Sequence, residues 1–166
     1  MSVDNEIDFD IRTFSYANIG QSHHAGLEIE GAGTFWTRVQ PSVTYALTAV
    51  TEPGSDQQLK NIPRHSVTAS VSVDLPMALS MLAHYRHTSG AFLDDGNAFA
   101  IQGPSTLDLR VRHRIGRQTI FLDALNLTDN RHQEYGYTLA DFRGRPNAYS
   151  YPGAPRAVRA GVTASF

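Results

Sequence analysis

The densest run of side chains able to hold a ligand lies between positions 135 and 151. It contains Tyr135, Tyr137, Phe142, Arg143, Arg145, Tyr149 and Tyr151. Aromatic faces and guanidinium groups together suit a planar or anionic ligand, through stacking and charge. Tyr135, Tyr137, Arg143, Arg145 and Tyr149 are therefore the candidate ligand contacts, although a folded loop with interfacial aromatics would have the same composition. The seven histidines raise the question of metal binding. His23 and His24 are adjacent and His84 and His87 are three apart, so on a strand each pair points to opposite faces. With no cysteine, thiolate ligation and disulfides are excluded. No metal site is assigned, and loop histidines such as His132 are kept as able to touch an iron-bearing ligand. Serine, histidine and aspartate are plentiful, but neither G-x-S-x-G nor H-E-x-x-H occurs. The chain is not read as an enzyme, and no catalytic residue or cofactor is assigned.

What must position these residues is a set of strands. Alternation of apolar and polar side chains is the dominant pattern, and strands flip their side chains every residue. The segment 65–74 is the clearest, with Val67, Ala69, Val71 and Val73 set against Ser66, Thr68, Ser70, Ser72 and Asp74. The same rhythm runs through 22–31, 42–50, 78–87, 105–113, 118–126 and 157–166, with a weaker strand at 6–13. Sustained helical periodicity is absent. The chain is thus predicted to be all-β, with about eight antiparallel strands joined partly by turns too short for crossovers.

The connections sort into two kinds. Those around 32–37, 76–77 and 115–117 are tight, whereas 51–63, 88–104 and 127–155 are long and rich in Gly, Pro, Asp and Asn. From Gly31 onward the two kinds alternate. An up-and-down barrel in an outer membrane needs this asymmetry, with short turns on one side and long loops on the other. Strands of about 9–11 residues are also the length that crosses a bilayer at a tilt.

Charge and composition exclude other classes. The 166 residues carry a formal net charge of −2, which gives no electrostatic case for nucleic acid. Charged residues make up only 18%, below the roughly 25% usual in soluble domains. The polar faces collect Glu28, Glu30, His84, Arg86, Asp108, Arg110, Arg112, Asp123 and Arg159, while the apolar faces are mostly Ala and Val. Small apolar residues fill a packed core poorly. They suit an outward, lipid-facing wall around a polar lumen. A soluble lipocalin-like binder would place the faces the other way round.

Four motifs occur in a telling order. Between Asn18 and Glu30 the chain reads Asn-Ile-Gly and then Gly-hydrophobic-Glu; Asn61-Ile-Pro-Arg-His65 opens a strand. Ala124-Leu-Asn-Leu-Thr-Asp129 closes one, with Tyr135 beyond, and Tyr151-Pro-Gly-Ala-Pro-Arg156 leads into the last strand. In this order and spacing, from about Ile7 to Phe166, the chain resembles the C-terminal barrel portion of TonB-dependent outer-membrane receptors. The resemblance implies a barrel of about 22 strands around a plug, of which this chain supplies the last eight as a single partial barrel domain, residues 1–166. It implies active uptake of a scarce ligand such as a ferric siderophore, haem or cobalamin. The expected partners are outer-membrane lipid, the barrel-assembly machinery and the small ligand, with the TonB complex reached only through the plug.

The plug and the earlier barrel strands are absent from these residues, and Met1-Ser-Val-Asp-Asn-Glu6 is not a signal peptide. The expected form is therefore a curved open sheet. The alternative is a complete small eight-stranded outer-membrane barrel, passive or structural. The ending resembles the signal read by the barrel-assembly machinery, which implies a role for Arg159, Gly161, Ala164 and Phe166.

Overall fold

The computed structural model describes residues 1–10, 15–51, 54 and 57–165. Its strands are β1 (Ser2–Asp10), β2 (Ser15–Ala32), β3 (Val39–Thr51), β4 (His65–Leu75), β5 (Leu79–Thr88), β6 (Ala91–Phe92), β7 (Ala100–Ile101), β8 (Ser105–Ile115), β9 (Gln118–Leu125), β10 (Gln133–Ala140), β11 (Pro146–Pro152) and β12 (Ala157–Ala164). Eight of them form one antiparallel sheet in the order β1-β2-β3-β4-β5-β8-β9-β12. Each wall strand pairs with the next one along the chain. This is the up-and-down connection expected from turns too short for a crossover.

The seven clear alternating segments coincide with wall strands, and two boundaries differ. β1 begins at Ser2, four residues before the expected start, and the end of the expected 6–13 strand lies outside the described residues. β2 begins at Ser15 rather than at position 22. Its first half pairs with β1 from Ser15↔Asp10 to His23↔Ser2 and carries register shifts around Glu6. A bulged strand breaks the two-residue rhythm, so this region has no clean alternation to read.

The loops are sorted by side. Turns at Trp36–Arg38, Pro76–Ala78 and Gly116–Arg117 lie at one rim, and the three long connections rise from the other. Trp36 and Thr37 have φ of 47° and 59°, and Met77 and Ala78 have 61° and 55°. Paired left-handed residues fit a two-residue hairpin turn to the right-handed twist of its strands. Asn-Gly is the usual sequence for such turns, and neither of these two uses it.

The faces are inside out by the standard of a soluble domain. Leu27, Ile29, Val43, Val71, Ile120, Leu122, Val158 and Val162 are exposed, whereas the buried side chains include Ser22, Gln58, Thr106, Asp123, Asn126 and His132. Register explains the pattern. One face carries the row Pro41-Val71-Ala83-Leu109-Ala124-Val158, and the other carries Gln40-Ser72-Leu82-Arg110-Asp123-Arg159. The lipocalin-like alternative, with its apolar face hidden, is not what forms. Nor does the sheet close on itself among the described residues, since β1 and β12 are its two edges.

The polar row ends in a charge bridge that fixes the last strand. Asp123 of β9 stands opposite Arg110 of β8 and Arg159 of β12. It accepts from Arg110 Nε at 2.7 Å and Nη2 at 3.3 Å, and from Arg159 Nε at 2.8 Å. Its carboxylate is covered by these two guanidinium groups rather than by depth in a core. A slip of β12 by one residue would turn Arg159 to the apolar face and leave the carboxylate with Arg110 alone. Asp123→Asn is expected to lower the temperature at which the folded sheet melts, read by circular dichroism of its β signal. Arg159→Ala should lower it less, because Arg110 still holds the carboxylate.

Candidate functional site

The candidate residues lie on an outer hairpin formed by β10 and β11. Its register sets Tyr135 opposite Tyr151 and Tyr137 opposite Tyr149. Residues two apart share a face, so four tyrosines form a ladder. Ring centroids are 6.3 Å apart for Tyr135–Tyr151 and 5.7 Å for Tyr137–Tyr149, both stacked, and 6.3 Å for the tilted Tyr137–Tyr151 contact. Tyr135, Tyr149 and Tyr151 are about half exposed. Burial, aided by neighbouring Tyr151, raises the Tyr137 phenol above its ordinary value. The Tyr137 phenol is therefore uncharged at neutral pH.

The arginines stand at the far end. Asp141 begins the hairpin turn and accepts from the backbone N–H of Arg143 at 2.8 Å and of Arg145 at 2.9 Å, and from Arg145 Nε at 3.1 Å. Those donors, the Arg145 N–H first, hold its carboxyl below the usual range. The turn's closure is thus present above ordinary carboxylate pH and is lost as pH falls through the lowered value. Arg145 is used in this closure. Arg143 lies 5.1 Å from the centre of the exposed Phe142 ring. The turn begins four residues beyond Tyr137, about 13 Å at strand rise. The structure thus brings Tyr135, Tyr137 and Tyr149 together with Tyr151, and separates Arg143 and Arg145 from them.

The other face of the hairpin packs on the protein. Gly136 is buried against Leu93, which is also buried, and a Cβ at Gly136 would come within 2.9 Å of it. Glu134 reaches Arg86 of the lumen row, with Arg86 Nη2 to Glu134 Oε1 at 2.9 Å. The same oxygen faces His132 Nε2 at 3.0 Å, and His132 Nδ1 faces the Asn130 carbonyl at 3.1 Å. The bond from His132, then that from Arg86, holds the Glu134 carboxyl below its ordinary value. His132 is 5% exposed. This corrects the expectation of a loop histidine free to touch ligand: its ring is enclosed and both nitrogens are taken.

Around this ring the end of β9 is closed by side chains. Asn126, at φ 48°, donates through Nδ2 to Asn130 O at 3.1 Å and Ala154 O at 3.0 Å. Its Oδ1 accepts from Asn130 N–H at 3.0 Å and Thr128 Oγ1 at 3.1 Å. Its own N–H donates to Asp108 Oδ1 at 2.7 Å, and Asn130 Oδ1 accepts from Ser105 N–H at 3.1 Å. Sequence reading missed His132, Glu134, Asn126 and Asn130 as one unit. The signal available was the Asn126-Leu-Thr-Asp-Asn130 cluster after an alternating strand, a composition that closes turns through side chains.

The remaining long loops are tied together in the same way. Asn97 Nδ2 donates to Gln58 O at 2.7 Å while Gln58 N–H donates to Asn97 Oδ1 at 2.9 Å. Asp94 accepts from the Phe99 N–H at 2.8 Å, and β6 pairs β7 beside it. Among the described residues no group of three or more His, Cys, Asp or Glu could hold a metal ion.

At the closing strand, Arg159 is engaged with Asp123, and Gly161 lies opposite Phe121. A Cβ at Gly161 would come within 2.6 Å of the Phe121 ring, so the glycine makes room for the aromatic on the lumen face. Ala164 pairs Gln118. Phe166 lies outside the described residues.

Gly153 gives this site a sharp test. It packs so closely on His132 that an added Cβ would overlap Nε2, while its own N–H donates to His132 O at 2.9 Å. Gly153→Ala must displace a buried ring and break its contact with Glu134. The outer hairpin is then expected to be cut several-fold faster by protease added to intact cells, with no loss of the assembled barrel.

Known proteins share this architecture. The family profile described as TonB dependent receptor-like, beta-barrel, matches residues 1–127. No curated protein sequence matches the chain. Among solved structures, the ferric yersiniabactin uptake receptor FyuA from Yersinia pestis superposes with a TM-score of 0.74 at 19% identity, over 89% of this chain and 24% of that one. The siderophore receptor PiuA from Acinetobacter baumannii gives 0.72 at 19% identity, over 90% and 22%. The ferric-catecholate import receptor Fiu from K12 E. coli gives 0.70 at 21% identity, over 97% and 23%. The chain therefore spans under a quarter of the length of these structures, and at such identities they share its fold. With most of its length matched by the family profile, its faces reversed and its loops sorted by side, the chain belongs to the β-barrel of the TonB-dependent receptors, a family of outer-membrane receptors rather than enzymes.

Proposed function

We propose that these residues form one partial barrel domain, the wall and last outer loops of a receptor that takes up a scarce ligand, an iron chelate by class. Energy would come from the TonB complex through a plug carried elsewhere in the receptor. Three solved barrels of the same fold are named for siderophore or ferric ligands. That supports the ligand class without identifying the ligand. The observation that carries a binding role for this chain is the tyrosine ladder. Its opposite face is occupied by packing on Leu93 and Arg86, which leaves four aromatic faces on a projecting hairpin available for a planar ring system.

In this reading Tyr135, Tyr137 and Tyr149 stack the ligand, with Tyr151 beside them. Arg143 and Arg145 act from the tip, Arg143 on an approaching anion and Arg145 by closing the turn on Asp141. In cells expressing the whole receptor, Tyr137→Ala with Tyr149→Ala should cut uptake of a ferric chelate about tenfold, the weight of one or two lost aromatic stacks. Unchanged uptake at unchanged receptor level would remove the ladder from the binding site. Arg145→Ala should act less than the tyrosine pair, since its contact is with Asp141.

Arg159, Gly161, Ala164 and Phe166 serve, in the same proposal, as the address for barrel assembly. The pairing of β12 with β9 supports this, because it continues as far as Ala164, two residues before Phe166. Deleting Phe166 from the whole receptor should reduce its level in the outer membrane severalfold. An unchanged level would leave the ending a strand with no address.

A further inference from the structure

The hairpin that carries the tyrosine ladder is tied beside β7 through Gln133 and Gln102 and to the wall through His132 and Glu134, and the chemistry of the second fastening depends on a proton. His132 Nδ1 faces the carbonyl oxygen of Asn130 at 3.1 Å, and Nε2 faces the carboxylate oxygen of Glu134 at 3.0 Å. Both partners are acceptors. A neutral imidazole has one N–H and one lone pair, so it satisfies one of them and presents a lone pair to the other. Only the imidazolium, with two N–H groups, makes both bonds together. The ring has little water to turn to, since its side chain is 2% exposed.

The fastening joins separate parts of the barrel. Glu134 Oε1 also accepts from Arg86 Nη2 at 2.9 Å, which ties β10 to the lumen face of β5. Asn130 accepts from the Ser105 N–H at the start of β8. Gly153, at the foot of β11, donates its N–H to the His132 carbonyl and gives the ring its space. Charged groups on the elements around the ring are Arg86 of β5, Asp108 of β8, Asp129 and Arg131 of the segment after β9, Glu134 of β10, and Arg156 before β12. Arg156 and Asp129 face each other at 3.8 Å, and Asp108 is occupied by the Asn126 N–H. Three of these six groups are positive and three negative, so the neighbourhood itself is balanced. The carboxylate in contact is that of Glu134, at 3.0 Å from Nε2.

We propose that His132 is a positioning residue for the outer hairpin: in its doubly protonated form it clasps Asn130 and Glu134 and holds the tyrosine ladder against the wall, and loss of one proton loosens it. The sign follows from linkage. A group whose charged, proton-bound form makes the contact stabilises it at lower pH, and that contribution fades as pH rises and the proton leaves. Glu134 limits the other side, because the contact is also lost once acid protonates that carboxylate. The hairpin is therefore held most firmly in a mildly acidic window and loosens toward alkaline pH. This inference rests on the outer-loop placement of the hairpin and does not require the ladder to bind iron chelates.

The test uses the whole receptor in outer-membrane vesicles, with a nitroxide attached at Phe142→Cys, a fully exposed tip position, in a background free of other cysteines. Spectra between pH 5 and 8.5 report the hairpin's docked and mobile populations. The mobile-to-docked ratio should rise about tenfold across this range, the weight of one charge-assisted hydrogen bond. His132→Gln keeps one donor and one acceptor, so it should flatten the pH response. Glu134→Gln should flatten it as well, by replacing the charged acceptor that joins the ring to Arg86 with a neutral amide. A wild-type ratio independent of pH overturns the proposal, and so does a wild-type response that survives in Glu134→Gln. If His132→Gln fails to assemble, Glu134→Gln decides alone. Uptake is not measured, so failure of the latch and failure of the ligand reading remain distinguishable.

Discussion

Hydrocarbon offers the peptide backbone no hydrogen-bond partner, so a strand can enter lipid only if each of its N–H and C=O groups is paired within protein. The other features of this chain are consequences of that restriction. An antiparallel sheet of successive neighbours pairs every interior strand on both sides with the shortest connections. Once the backbone is satisfied, the side chains that meet lipid need only be apolar. That is why Ala, Val and Leu suffice on the outer row and why their exposure is no defect. The same restriction makes β1 and β12 special. Each leaves one edge unpaired in this sheet, and an unpaired edge in lipid requires neighbours from the rest of the barrel wall.

The inner face obeys a different rule. There, polar groups are removed from bulk water by one another, so each must find a partner. Asp123 does so with two arginines supplied by the strands on either side of it. The bridge does more than neutralise charge, because its three members come from three strands at one level and so specify how β8, β9 and β12 align. Gly161 adds a steric mark one rung pair away, where the Phe121 ring occupies the place of a side chain. Hydrophobic alternation fixes which face a strand presents. Charge and shape fix how far along its neighbour it sits.

How much of this could be read from the sequence depended on period. Val67 to Val73 show a two-residue rhythm that needs no partner to be recognised, and β4 begins and ends within a residue of where that rhythm does. The order of strands followed from loop length, since Gly116-Arg117 can join only neighbours. The first half of β2 had no rhythm because a bulged pairing with β1 replaces it. The hairpin of β10 and β11 reads as loop because the segment that holds it, 127–155, is rich in Gly, Pro, Asp and Asn. The five candidate residues were recognised by type, yet type says nothing about company. Three of them stack in one ladder, one closes a turn and one lies over a phenylalanine.

The contacts furthest from legibility were those of His132, and the reason is physical. Glu134 is two residues from it, but Arg86 is 46 positions away and Gly153 is 21, so the clasp exists only once β5, β10 and β11 have been brought together. Such long-range polar contacts leave no periodic trace. They are also the contacts a receptor can use without disturbing its wall. The wall is held by eight strands of paired backbone that cannot open in lipid, whereas the hairpin stands outside that sheet. The loops differ in how they are tied: those bearing Gln58 and Asn97 are joined mainly by amide pairs that do not change with pH, whereas the hairpin with the tyrosine ladder adds to its Gln133–Gln102 amide pair a contact between ionisable groups, His132, Glu134 and Arg86.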